Sequence, residues 1–167
     1  FKAINNEIII FKQKMFYYKF NLFYKDFVWY GSKGIKKKNF YSPQWLRNIK
    51  SKKYPFWRVD TYFSNKKYNN IKFIENGGWH FSYLKEAHGV EKKLKSIRHH
   101  IEYDQNPIGV KKIENMIKQK KMIYNYNTDQ RTKNKFEDNE TLNKLDLKFL
   151  PIYIQNNLEN FKKWLEK

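Results

Sequence analysis

Between Glu7 and Tyr30 the chain is apolar with little interruption. Ile8, Ile9, Ile10 and Phe11 lead into a run in which ten of the twenty residues from Phe11 to Tyr30 are aromatic. β-Branched and aromatic side chains fit a pleated, half-buried surface, so this stretch predicts a packed strand pair with some aromatics left at a cleft. Gly31 to Asn39, with Lys33, Lys36, Lys37 and Lys38, reads as a solvated loop. A short helix is expected next, because Ser42 is suited to cap it and Pro43 to occupy its first position, where a backbone N–H would lack a partner anyway. Trp45, Leu46 and Ile49 give that helix its apolar side. Asn65 to Asn70 reads as a polar turn and Ile71 to Glu75 as a strand.

The period changes after Gly89. Val90, Leu94, Ile97 and Ile101 recur at helical spacing and predict one buried stripe, with Lys92, Lys93, Lys95 and Arg98 on the outer face. A second helix is expected from Asn106-Pro107, with Ile113, Met116, Ile117 and Ile123 as its apolar side. Thr128 to Thr141 is polar and charged, and reads as a mobile loop or an insertion. Leu150-Pro151 then opens a last helix in which Ile154, Leu158, Phe161 and Leu165 share a face. The order of elements predicts a mixed α/β class, strands followed by three or four helices, and 167 residues have room for one domain.

Charge alters this picture less than its size implies. The 35 basic and 16 acidic residues give +19, a balance that points to a polyanion such as nucleic acid or to an acidic membrane surface. Arginine, however, stands only at Arg47, Arg58, Arg98 and Arg131, and the other 31 basic residues are lysine. Lysine, asparagine, isoleucine, tyrosine and phenylalanine share AT-rich codons, so a compositional bias accounts for the excess, and no specific nucleic-acid partner is expected. There is no cysteine, which excludes disulfides and thiolate metal sites. No apolar run approaches the length needed to span a membrane.

The segment Gly77-Gly78-Trp79-His80-Phe81-Ser82-Tyr83 joins two conformationally permissive glycines to alternating aromatic and polar residues. On a strand, Trp79, Phe81 and Tyr83 would share one face and Gly78, His80 and Ser82 the other. His99-His100 has the look of a metal pair, but neighbours on a helix point about 100° apart and cannot both face one ion. His100 reads as surface.

Three segments in fixed order, Gly77 to Tyr83, Lys92-Lys93-Leu94-Lys95-Ser96-Ile97-Arg98-His99, and Leu150-Pro151-Ile152-Tyr153-Ile154 with Asn157 and Phe161, together resemble glycosyltransferase family 17. That family includes the β-1,4-mannosyl-glycoprotein 4-β-N-acetylglucosaminyltransferases. Phe11 to Phe20, Trp29-Tyr30-Gly31 and Phe56-Trp57-Arg58-Val59-Asp60 are also similar to its central region. The resemblance implies the C-terminal part of a GT-A-like nucleotide-sugar transferase domain. Its parent enzyme would take a UDP-sugar donor, UDP-N-acetylglucosamine, and a mannose-containing glycan acceptor, and would invert the anomeric centre. The family's acidic Asp-x-Asp-Glu metal motif does not occur between Phe1 and Lys167. A divalent cation, manganese or magnesium, is therefore implied for the parent enzyme, and this fragment by itself is expected to be inactive.

Such a transfer needs a base for the acceptor hydroxyl and positive charge for the departing diphosphate. The resemblance makes His80 a candidate contributor at the metal or diphosphate, with a backbone-bonded structural histidine as the alternative. Asp60 is the candidate base, and a surface ion pair is its alternative. Trp29 and Trp79 are candidates for stacking on sugar rings, and core packing is the alternative for Trp79. Arg58 and Arg98 are candidates for the diphosphate, while Gly77, Gly78, Ser82 and His99 complete the expected substrate-binding set. The rival reading is a basic, aromatic-rich nucleic-acid-binding module without catalysis.

Overall fold

The computed structural model describes residues 8–96, 100–124 and 140–167. It is mixed α/β, with two mixed sheets. The chain divides into two compact units, Phe1–Gln13 with Val28–Gly78 and Lys14–Phe27 with Trp79–Lys167.

In the first unit, β1 (Ile8–Phe11) lies between β4 (Lys33–Ile35), antiparallel, and β5 (Ile71–Ile74), parallel. Alternation buries Ile8 and Ile10 completely, and these pack with Ile49 and Ile71 beneath Trp45, Leu46, Tyr68 and Phe73. Helix α1 (Pro43–Asn48) starts as its sequence predicts, with Ser42 Oγ accepting from the Trp45 N–H at 3.1 Å. The expected lysine loop is different. Lys33 lies on β4 opposite the buried Ile10, and its ammonium donates to the carbonyls of Arg47, at 3.0 Å, and Ile49. Carbonyls at a helix end have no partner within the helix, so a lysine reaching them is favoured over one left in solvent.

In the second unit the sheet order is β6 (Trp79–Ser82), β2 (Gln13–Tyr17), β3 (Leu22–Trp29) and β7 (Asn143–Lys144). The apolar run from Ile8 is thus split at Lys12, its first strand entering one sheet and its second the other. Met15, Phe16 and Tyr17 are all fully buried, so both faces of β2 are covered. The Phe16 face packs on Phe23 and Phe81 and on a C-terminal cluster of Leu150, Ile154, Leu158, Phe161 and Leu165. Buried Asn21 pins that end of the chain, donating to the Glu166 carbonyl at 2.9 Å and accepting from its N–H at 2.7 Å.

The helices bury part of the predicted apolar stripes and differ from the predicted lengths. Helix α2 (Ala87–Ser96) contains Gly89 and buries Ala87, Val90 and Leu94. Helix α3 (His100–Gln105) buries Tyr103, whereas Ile101 is exposed. Helix α4 (Val110–Lys118) begins after Gly109, three residues beyond the Asn-Pro signal, and buries Ile113 and Met116. The last helix is broken into α5 (Ile152–Gln155) and α6 (Leu158–Phe161). At the break Asn157 donates from its side chain to the Tyr153 carbonyl at 2.8 Å, in competition with the helical ladder. Of the expected 128–141 loop, residues 128–139 lie outside the described residues, and Thr141 forms an antiparallel bridge with Lys121. Among the described residues no helix is long and apolar enough to cross a membrane.

Candidate functional site

The glycine pair at the head of the candidate motif is required by the fold itself. A Cβ on Gly77 would stand 2.8 Å from Phe11 Cβ and 3.0 Å from the Ile74 carbonyl oxygen. The Gly77 N–H donates to the Lys12 carbonyl at 2.7 Å, which holds this close approach in place. Gly78 has φ +128°, a conformation that side chains on L-residues resist. Close packing and an unusual φ account for both glycines without a ligand.

In the second unit, β6 runs parallel to β2 with Met15 opposite His80 and Tyr17 opposite Ser82. Trp79 and Phe81 share the Phe16 face. Tyr83 departs from the predicted alternation: its φ is +50°, and its ring stacks on Tyr17 at 5.6 Å. The left-handed turn carries Tyr83 away from the face of Phe81 and toward that of His80 and Ser82. Lys93 of α2 reaches the same place, with Nζ 4.4 Å from the centre of the Tyr83 ring. The sequence reading put Lys93 on the outer face of its helix, yet it is half-buried. It follows the buried Val90 by three residues, so the helical period sets it beside the core stripe, and that spacing was the signal available.

Burial and the neighbouring Lys93 charge both lower the His80 pKa, so the imidazole is neutral near pH 7. Burial and Lys85 lower that of Lys93 as well. Ser82 is buried. Trp79 lies on the opposite face of β6 from His80, 40% exposed, and its indole N–H donates to the Phe149 carbonyl at 2.8 Å. It is therefore an anchored surface aromatic and not a core residue. The unit also contains a cleft lined in part by Tyr18, Lys85, Glu86, Glu114 and Trp164, none of which sequence reasoning selected and which does not include His80.

The first unit contains the remaining described candidates. Asp60 is held by Arg58, which donates from Nε at 2.7 Å and Nη2 at 2.8 Å, and by Lys67 at 2.6 Å. These partners hold its carboxyl well below the ordinary carboxylate range. A carboxylate stabilised in this way is a poor proton acceptor, so the arrangement favours the ion-pair alternative over the base expected from sequence. Two donor groups of Arg58 are likewise committed to Asp60. Trp29 is half-exposed, and its indole folds against Gly31, where a Cβ would stand 2.0 Å from Nε1. Arg98 and His99 lie outside the described residues, as does the side chain of His100.

Among the described residues no three His, Asp or Glu side chains gather in one place, and the positive charge of Lys93 acts on His80. The described part of the His80 site does not fit a divalent metal.

The chain has no significant match among models of protein families, curated proteins or solved structures. The reading of the site therefore rests on its own residues and their geometry.

Proposed function

We propose that the chain is part of a glycosyltransferase of the family 17 type, whose parent enzyme transfers N-acetylglucosamine from UDP-N-acetylglucosamine to a mannose-containing glycan with inversion. The observation that supports this reading is the convergence of the three segments that resemble the family. Tyr83 of the first meets Lys93 of the second, and Phe81 of the first packs in one cluster with Leu150, Ile154 and Phe161 of the third. These segments are separated by up to about half the chain, so their meeting is a property of the fold and not of local sequence.

In an inverting transfer the acceptor oxygen attacks the anomeric carbon, a base takes its proton, and the electron pair of the broken bond leaves with the diphosphate. Of the two candidate catalytic residues, Asp60 is clamped by Arg58 and Lys67, and His80, neutral and beside Lys93, is the contributor expected at the departing diphosphate. Lys93, held beside His80, supplies positive charge of the kind a departing diphosphate requires.

The test compares residues 1–167 with the full open reading frame that contains them. Each is incubated with UDP-N-acetylglucosamine, manganese and a panel of mannose-terminated glycans, and UDP release and product anomer are measured. Turnover with inversion by the full reading frame and none by residues 1–167 is the expected result. Absence of turnover on every acceptor, with no binding of the donor by either protein, would remove the reading.

A further inference from the structure

The segment from Lys36 to Ile74 combines exposed apolar side chains with an excess of positive charge. Phe56, Trp57, Val59, Tyr62 and Phe63 are all at least 66% exposed, and Phe63 reaches 88%. The same segment carries eleven basic residues and a single acidic one, Asp60, whose carboxylate is taken up by Arg58 and Lys67. Compositional bias explains why the basic residues are mostly lysine. It does not explain the scarcity of acidic residues here, where the next one along the chain, Glu75, is paired with Lys12.

The exposed side chains are also held in place. The turn Val59–Thr61 is closed by Thr61 Oγ1 donating to the Arg58 carbonyl at 2.7 Å, and the Tyr62 hydroxyl donates to the Phe56 carbonyl at 3.2 Å. Phe56 and Trp57 meet edge to face at 5.2 Å. A loop that fixes its own backbone while turning its largest apolar groups to solvent forgoes the stability that burying them would bring.

We propose that this loop is a membrane-docking surface, with Phe56, Trp57, Val59, Tyr62 and Phe63 entering the interfacial layer of an anionic lipid bilayer and the surrounding lysines facing its headgroups. The chemistry matches on both counts. Tryptophan, tyrosine and phenylalanine are at home at the boundary between headgroups and acyl chains, and lysines near an anionic leaflet are attracted to its negative surface potential. Lys50, Lys52 and Lys53 precede the loop and Lys66 follows it, while Lys67 is held by Asp60. Inclusion of the aliphatic Val59 fits an apolar layer better than a set of base-stacking platforms, which uses aromatic faces alone. The proposal is independent of any transferase activity.

The test is co-sedimentation of the protein with phosphatidylcholine vesicles, with and without about 30% phosphatidylserine. The expected result is binding to the anionic vesicles that is at least about tenfold stronger than to the neutral ones. Trp57→Ala with Phe63→Ala should weaken it about tenfold with an unchanged melting temperature, since neither side chain is buried. Lys52→Ala with Lys53→Ala should weaken it as well, and added salt should reduce binding without abolishing it, because the apolar part is not screened. Absence of vesicle binding, or binding by the aromatic variant equal to wild type, would overturn the proposal. So would tighter binding to a single-stranded oligonucleotide with the same aromatic dependence, or self-association that the aromatic variant abolishes.

Discussion

The ammonium of Lys93 stands 4.4 Å from the centre of the Tyr83 ring, and that ring in turn stacks on Tyr17. A cation over an aromatic face contributes about 0.5–1 kcal/mol when exposed and about 2 when desolvated, so a half-buried lysine falls between these limits. The contact holds a positive charge beside His80. Lys93→Met should therefore raise the His80 pKa part of the way toward its ordinary value, leaving the share due to burial. Titration of the His80 Cε1–H resonance by NMR measures this directly, and an unmoved pKa would show that the two groups are not coupled.

The lowered His80 pKa also sets the sign of a stability effect. The native state binds the imidazole proton less readily than the unfolded chain does, so stability should fall as pH drops below about 6.5 and be indifferent to this group well above it. Denaturant melts of wild type and His80→Gln across that range should differ in slope, with the variant flatter. Parallel slopes would mean that His80 titrates alike in both states.

On the transferase proposal, His80→Ala in the proposed parent enzyme should lower turnover about a hundredfold, which corresponds to about 3 kcal/mol of transition-state stabilisation. Initial rates and thermal melts on the same preparations separate this from a structural role. A variant with full activity per folded molecule and a lower melting temperature would make His80 a structural residue.

Gly77→Ala should destabilise the fold by about 1–3 kcal/mol, because the new Cβ meets the backbone of Phe11 and Ile74 as well as the Phe11 side chain. Gly34→Ala on β4 is the control, since its Cβ would have nothing nearer than Ile9 at 4.0 Å. Equal melting temperatures for the two variants would show that the close approach at Gly77 relaxes freely.

Asp60→Asn should loosen the 56–63 turn while leaving turnover per folded molecule close to wild type. Its stabilising effect is present above the ordinary carboxylate range and is lost as pH falls through the depressed native value, so it belongs to strongly acidic conditions. Limited proteolysis within the turn and initial rates provide the two readouts. A rate loss without added proteolysis would restore Asp60 as the base.

Much of the chain was legible in its sequence because the signals were local. Ser42 and Pro43 start α1 since a cap and a fixed φ act within one turn, and Val90, Leu94, Ile113 and Met116 are buried because helical spacing alone puts them on one side. The strand ending at Ile74, the tight passage at Gly77 and Gly78, and the opposite faces of Trp79 and His80 follow from composition and period in the same way. What the tertiary structure alone decided depends on partners distant in the chain. The apolar run after Glu7 does not reveal that it is divided between two sheets, because residues 8–11 and 13–17 have similar propensities and only their pairing with β5 and β6 tells them apart. Tyr83 turns away from the face its position predicts through a positive φ stabilised by the stack on Tyr17, 66 positions earlier. Lys33 and Lys93 read as ordinary surface charges, and Asp60 as a candidate base with a surface ion pair as its alternative. Their roles were set when folding brought them to the end of a helix, an aromatic ring and a pair of cations, interactions with energies that depend on three-dimensional distance and carry no period in the sequence.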